Sequence, residues 1–240
     1  MRITGLIQAR MGSTRLPGKM MLPIRGKPLV GHLIDRLERV TGLNNLVLAT
    51  TADTRNNELV KYSKNRGLLI HREPGEDDLA ARLLGAARVA EADAILKVNG
   101  DCPLADPVVL QTLVDTFRSH PDVDYVSNKI VWTFPEGLSG EVIATRALTW
   151  CDAHLTDPLD REFVANYIRD HDDRFSVRSV VHTRDLSHHR WVVDTPEDFV
   201  FVSRVFEMLS SKGSVFDLDS ILGVVERASD LQRGPVSTNE

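Results

Sequence analysis

Residues Leu6–Met21 read LIQARMGSTRLPGKMM: the end of an apolar run, then a loop holding Gly12, Pro17, Gly18 and three cations, Arg10, Arg15 and Lys19. Ile3–Ala9 has the unbroken apolar character of a buried strand. Beyond the loop, Pro28–Val40 carries apolar residues at 29, 30, 33, 34, 37 and 40, a helical stripe opened by a proline. A glycine-containing loop between a first strand and a helix suits phosphate, because open backbone N–H groups and a helix N-terminus both favour anions. The stretch therefore points to an α/β sheet and an anionic ligand.

Neither common phosphate motif accounts for it. The dinucleotide fingerprint needs further glycines at fixed offsets after Gly12, and they are missing. The P-loop needs four residues between its glycines and a Ser or Thr after the lysine; here five residues intervene and Met20 follows Lys19. The cations still suit a polyphosphate, with Lys19 a point charge and Arg10 and Arg15 bidentate forks. A solvated basic loop is the plain alternative.

The same alternation continues downstream. Leu46–Thr51 reads as a strand, Asn56–Arg66 as a polar helix capped by Gly67, Leu68–His71 as a strand, and Asp77 or Asp78 as the cap of a helix reaching Glu91. Ala94–Val98 is a buried strand ending at NGDCP, and Asp106-Pro107 opens a helix to Ser119. Strands alternating with helices imply a doubly wound, mostly parallel sheet. From Tyr125 the pattern is mixed: YVSN, GEVIAT, FSVRSVVH and RWVVDT read as strands, with helices near 147–155, 161–169 and from Pro196, and a last one in FDLDSILGVVERA. One domain over 1–228 is expected, its 1–122 half binding nucleotide and its 123–228 half binding an acceptor, followed by a flexible tail at 229–240.

At 240 residues with two distant cysteines, Cys102 and Cys151, the chain needs no disulfide framework. No signal-peptide pattern opens it and no apolar run has the length of a membrane span, so a cytoplasmic protein with no membrane partner is expected. A formal net charge of -5 argues against nucleic acid as partner. The cationic loop is a local feature of an acidic protein.

The segment IQARMGSTRLPGKMMLPIRGKPLVGHLIDRL resembles the opening signature of the cytidylyltransferase family that includes CMP-KDO and CMP-sialic acid synthetases. It is most like the subgroup typified by spore-coat polysaccharide biosynthesis proteins. LVLATT, NGDCPLADP, YVSN, DPLDREFV and LSHHRWVVDTPEDF continue the likeness in order over about residues 1–210. The resemblance implies a nucleotide-diphospho-sugar transferase-like, Rossmann-like fold, transfer of CMP from CTP to an acidic acceptor with release of pyrophosphate, and a homodimer. It also implies Mg2+ held by Asp101 and Asp194, the first expected at the carboxyl end of a strand and the second after RWVV.

Carried over residue by residue, the nucleotide would meet Ala9, Arg10, Gly12, Ser13, Arg15, Lys19, Arg72, Asp78 and Asn99. The acceptor would meet Asn128, Glu141, His188 and Arg190. Relatives often read Asp-Val-Glu where this chain has Ser139-Gly140-Glu141. Plainer readings stand beside these: caps or Asx turns for Asp78, Asp101 and Asp194, a loop cation for Arg72, a strand-end turn for Asn99, a first-turn acid for Asp198, and a small buried residue for Cys102. Rival functions are a glycosyltransferase using Asp122-Val123-Asp124 or Asp217-Leu218-Asp219, and a non-catalytic nucleotide-binding protein.

Overall fold

β1 (Ile3–Gln8) opens the chain, and the cationic loop follows. Next come a hairpin of two-residue strands, β2 (Pro23–Ile24) and β3 (Lys27–Pro28), then α1 (Leu29–Leu37), β4 (Leu43–Thr51), α2 (Asn57–Asn65), β5 (Leu69–Glu73), α3 (Leu79–Val89), β6 (Ala94–Asn99) and α4 (Pro107–Ser119). The later elements are β7 (Tyr125–Ser127), β8 (Glu141–Ala144), α5 (Thr145–His154), α6 (Pro158–Glu162), α7 (Val164–Asp170), β9 (Val177–Ser179), α8 (Pro196–Leu209) and α9 (Leu218–Arg227). This computed structural model describes residues 1–209 and 216–228; the tail expected at 229–240 lies outside them.

The main sheet runs β5-β4-β1-β6-β8-β7-β9. β1 pairs in parallel with β4 and β6, and β4 with β5; β8 runs antiparallel to both of its neighbours. The chain steps outward from β1 to β4 and β5, then crosses back to lay β6 on the other side of β1. That reversal opens a crevice beyond the carboxyl ends of β1 and β6, the place where open α/β sheets bind ligands. The doubly wound, mostly parallel sheet is thus present, with the mixed pairing confined to its second half.

The strands form because their side chains are apolar on both faces: Ile3, Leu6 and Ile7 of β1 and Ala94, Ile95 and Leu96 of β6 have no exposed surface. α3 starts where the Asp78 side chain accepts the Ala81 N–H at 3.0 Å, and α4 where Asp106 accepts from Val108 at 2.7 Å with Pro107 in the first turn. α9 is pinned to α1 by the fully buried Arg36, which donates to the Phe216 carbonyl at 2.9 Å.

RWVVDT is not a strand. Trp191 and Val193 are buried, which produced the strand-like pattern, but this segment crosses the end of the sheet and bonds to loops. Trp191 N–H donates to the Glu136 carbonyl at 2.7 Å and Val193 N–H to the Asp101 carbonyl at 2.9 Å. Two of the expected strands are also short: FSVRSVVH supplies only Val177–Ser179 and GEVIAT only Glu141–Ala144.

Two glycines let chains approach at the crevice. A Cβ on Gly140 would stand 2.7 Å from Leu110 Cδ2 and from Leu113 Cδ1, so the Ser139-Gly140 departure has a packing reason: α4 closes onto this strand end. A Cβ on Gly100 would meet Ala9 Cβ at 2.6 Å and Met20 Sδ at 2.9 Å, where the ends of β1 and β6 converge. Gly100→Ala should therefore destabilise the fold by about 1–3 kcal/mol through overpacking. Urea unfolding checks this; an unchanged midpoint would show that the crevice yields.

Candidate active site

The cationic loop folds back on itself. Met11 N–H donates to Asn56 Oδ1 at 2.8 Å, Leu16 N–H to Ser13 Oγ at 3.2 Å, and Gly18 N–H to the Met11 carbonyl at 3.3 Å. Gly18 is left-handed (φ 72°), a conformation glycine adopts without a Cβ penalty, and it turns Lys19 inward. Lys19 is 5% exposed. Its ammonium donates to Asp101 Oδ2 at 2.9 Å, the Val193 carbonyl at 2.8 Å and Asp194 Oδ1 at 3.1 Å. An ammonium has three donors, so all three are taken.

Asp101 and Asp194, 93 positions apart along the chain, thus share one cation. Asp101 sits just past β6, as expected. Asp194 is placed by backbone: the Asp198 carboxylate Oδ2 accepts the N–H groups of Asp194 and Thr195, each at 2.9 Å, and Asp198 N–H donates back to Thr195 Oγ1 at 3.2 Å. This reciprocal cap opens α8 and fixes the residue before it. Arg15 pairs with Asp194 Oδ2, and Arg190 lies 3.4 Å from Asp198 and 3.8 Å from Asp194 while it pairs with Glu136.

These groups stand in a cleft of about 540 Å³ at the sheet's switch point, within the size range of small-molecule sites. Its cations and carboxylates come from the β1 loop, α3 and the loop before it, β6 and the turn after it, the loop after β7, β8, α6 and the segment before α8.

A family profile described as Cytidylyltransferase matches residues 4–221. The chain belongs to the cytidylyltransferase family. It is similar to a cytidylyltransferase from Leptospira borgpetersenii serovar Hardjo-bovis, with TM-score 0.91 and 28% identity over 100% of this chain and 99% of that one. It is 27% identical to the spore coat polysaccharide biosynthesis protein SpsF of Bacillus subtilis over 88% of each chain. It is 34% identical to the 8-amino-3,8-dideoxy-manno-octulosonate cytidylyltransferase of Shewanella amazonensis over 50% of this chain and 49% of that protein. The fold and the resemblance read from the sequence are those of this nucleotidyltransferase family.

Within this cytidylyltransferase fold, the cleft is lined by Ala9, Arg10, Gly12, Ser13, Arg15, Lys19, Asn99, Asp101, Glu141 and Asp194 of the residues singled out in the sequence. Five others do not line it. Arg72 spends its guanidinium on the Thr51, Ala52 and Asp53 carbonyls and on Asn57 Oδ1, clamping the turn after β4. Asp78 caps α3 and receives the Arg161 fork at 2.8 and 3.0 Å, tying α6 to α3. Asn128 clips two loops, donating to the Leu138 carbonyl and accepting from Gly140 N–H, both at 3.0 Å. His188 packs on His189, with ring centroids 4.1 Å apart. Arg190 braces the Asp194 segment from behind.

The Asp-x-Asp pairs are structural too: Asp124 holds Arg146 and the Ser176 N–H, and Asp217 caps α9. Cys102 is buried, and burial followed by the adjacent Asp101 charge pushes its thiol well above its ordinary pKa, the wrong direction for a nucleophile.

Several cleft residues escaped the sequence reading, Arg82, Glu76, Lys97 and Lys129 among them. Arg82 rises from α3 and donates to the Gly75 carbonyl at 3.2 Å; burial, then the Arg10 charge, lowers its pKa. Glu76 pairs with Arg10 at 3.1 Å. Lys97 stands in β6 and pairs with Glu141, its cross-strand partner in β8. Lys129 follows β7. Lys97 had a visible signal, one charge inside the apolar run AILKVN; Lys129 had none.

Tyr125 O–H also donates to Glu141, at 2.7 Å. Burial alone raises the Glu141 carboxyl, but Lys97 and Lys129, with the Lys97 and Tyr125 hydrogen bonds, outweigh it and hold the pKa at about 2. A depressed native pKa contributes stability above the unfolded value of about 4.5 and loses it as pH falls towards about 2. The stability advantage of the native protein over Glu141→Gln should thus be full above about pH 5 and shrink towards about pH 3. Urea unfolding across that range tests it, and a pH-independent difference would contradict an ionised Glu141.

Proposed function

We propose that this cytidylyltransferase moves CMP from CTP to a small acidic sugar or related acceptor, releases pyrophosphate, and does so with Mg2+ held by Asp101 and Asp194. One observation carries the reading: Asp101, Asp194 and Lys19 converge at the switch-point crevice, directly beside the loop that bears Arg10 and Arg15. The relatives named for spore coat polysaccharide biosynthesis and as an 8-amino-3,8-dideoxy-manno-octulosonate cytidylyltransferase support the acceptor class.

The donor set fits the metal. Both candidate ligands offer hard carboxylate oxygens, and Mg2+ commonly takes only one or two protein carboxylates, with phosphates and waters completing its shell. When bound, the cation would neutralise charge on the reacting phosphate and lower the pKa of the acceptor hydroxyl.

The rest falls to side chains. Lys19 keeps two like charges together and in place. Arg10 holds only an exposed glutamate, and exposed pairs are worth about 0–1 kcal/mol, so its guanidinium is readily exchanged for a triphosphate oxygen. Arg15, also exposed, reaches Asp194 from the same loop. Attack by an acceptor oxygen in line on the α-phosphorus needs positioning and charge neutralisation and no covalent intermediate. The same reading includes a homodimer in the cytoplasm; no described helix is long and apolar enough to cross a membrane.

Pyrophosphate release, measured with each of the four nucleoside triphosphates against a panel of acidic sugars, should select CTP; preference for another nucleotide would overturn the assignment. Lys19→Ala and Asp101→Asn should each lower turnover by about a hundredfold or more. Circular dichroism must first show that the variants fold. Near-normal turnover in a folded variant would remove that residue from the mechanism.

A further inference from the structure

The cleft's cations are not equally occupied. Arg10 has Glu76, Arg15 has Asp194, Lys19 has both aspartates, and Lys97 has Glu141. Lys129 is the exception among the described lysines of the cleft: its backbone N–H donates to Ser127 Oγ at 3.1 Å, while its ammonium lies within ion-pair distance of no carboxylate. It stands just after β7, on the β6-β8-β7 side of the crevice, away from the β1 loop. Lys97 and Glu141 occupy the floor on that same side, cross-strand partners in β6 and β8. Lys97 has spent one of its three donors on Glu141, and no second protein partner is present among the described residues.

We propose that Lys129 and Lys97 form the anion-binding half of the acceptor subsite and take the acceptor's carboxylate, while Glu141 accepts a hydrogen bond from a neighbouring hydroxyl. This rests on the CMP-transfer reading above and names the residues that make the acceptor acidic. The charges decide against the triphosphate as occupant. Two ammonium groups and one carboxylate leave a local charge of one positive unit, which matches a single carboxylate. A triphosphate with about four negative charges would face the Glu141 carboxylate here with two cations to meet it, whereas the β1 loop brings three, and the carboxylates beside Lys19 and Arg15, Asp101 and Asp194, are those read above as Mg2+ ligands. Glu141 in turn gives the subsite an acceptor for sugar hydroxyls, a discrimination that apolar contacts do not supply.

The experiment uses 3-deoxy-manno-octulosonate and its 8-amino analogue as acceptor probes, with the carboxamide of the first as the uncharged comparison, and follows pyrophosphate release from CTP. In Lys129→Gln the KM for the acidic probes should rise about tenfold or more, the loss expected for one charge-assisted hydrogen bond, while the KM for CTP stays within about twofold. The preference for acid over carboxamide should fall by a similar factor, and Lys129→Arg should recover most of both. An unchanged acceptor KM in Lys129→Gln, or an equal rise in the KM for CTP, overturns the inference and leaves the cytidylyl assignment standing. Failure of the unmodified enzyme to release pyrophosphate from CTP with every acidic probe overturns the assignment itself, and the inference with it.

Discussion

The site depends on one ammonium group. Lys19 lies between two carboxylates that are distant from it and from each other along the chain, and its third donor reaches the Val193 carbonyl. Two aspartates so close would repel if left alone, and burial would strengthen that repulsion. A shared lysine turns the repulsion into attraction at two points. Removing one partner of such a buried set typically costs about 3–5 kcal/mol, because the charges left behind stay desolvated. The triphosphate-facing role expected for Lys19 is therefore joined by a structural one, since every donor already has an acceptor.

The second aspartate is held with equal care. Asp194 sits on a non-strand segment, so no ladder fixes it. Its position comes instead from the Asp198 carboxylate on two successive backbone N–H groups and from the Val193 N–H bond to the Asp101 carbonyl. That last bond links the two aspartates through main chain as well as through Lys19. Asp198 thus does more than favour the helix dipole from the first turn of α8: it positions a residue of the site.

The two halves of the sheet divide the chemistry. The parallel half, β5-β4-β1-β6, delivers loops and strand ends to one edge, which is where the cations of the β1 loop and Asp101 gather. The antiparallel β8 enters from the opposite direction and brings Glu141 level with Lys97 on the cleft floor. A buried ion pair with a tyrosine hydroxyl on it adds little net stability by comparison with apolar packing, yet it gives the floor fixed polar groups. Preorganised groups of this kind are what a positioning reaction uses.

The sequence alone determined the strand-helix alternation, the carboxyl edge where the ligand belongs and the family, because these rest on local periodicity and on short ordered motifs such as the Arg10–Lys19 loop and NGDCP. Of the site residues it named, Ala9, Arg10, Gly12, Ser13, Arg15, Lys19, Asn99, Asp101, Glu141 and Asp194 line one cleft. It misread RWVVDT, since a short run of buried apolar side chains looks the same in a strand and in a segment crossing a sheet end. Arg72, Asp78 and Asn128 are polar residues beside turns, and only their hydrogen-bond partners, up to 83 residues away for the Asp78–Arg161 pair, show that they hold loops and caps in place. Lys129, and the sharing of Lys19 between two carboxylates, were decided by tertiary structure alone. Charge pairing acts through space, over a few ångströms, between positions whose separation along the chain carries no trace of it.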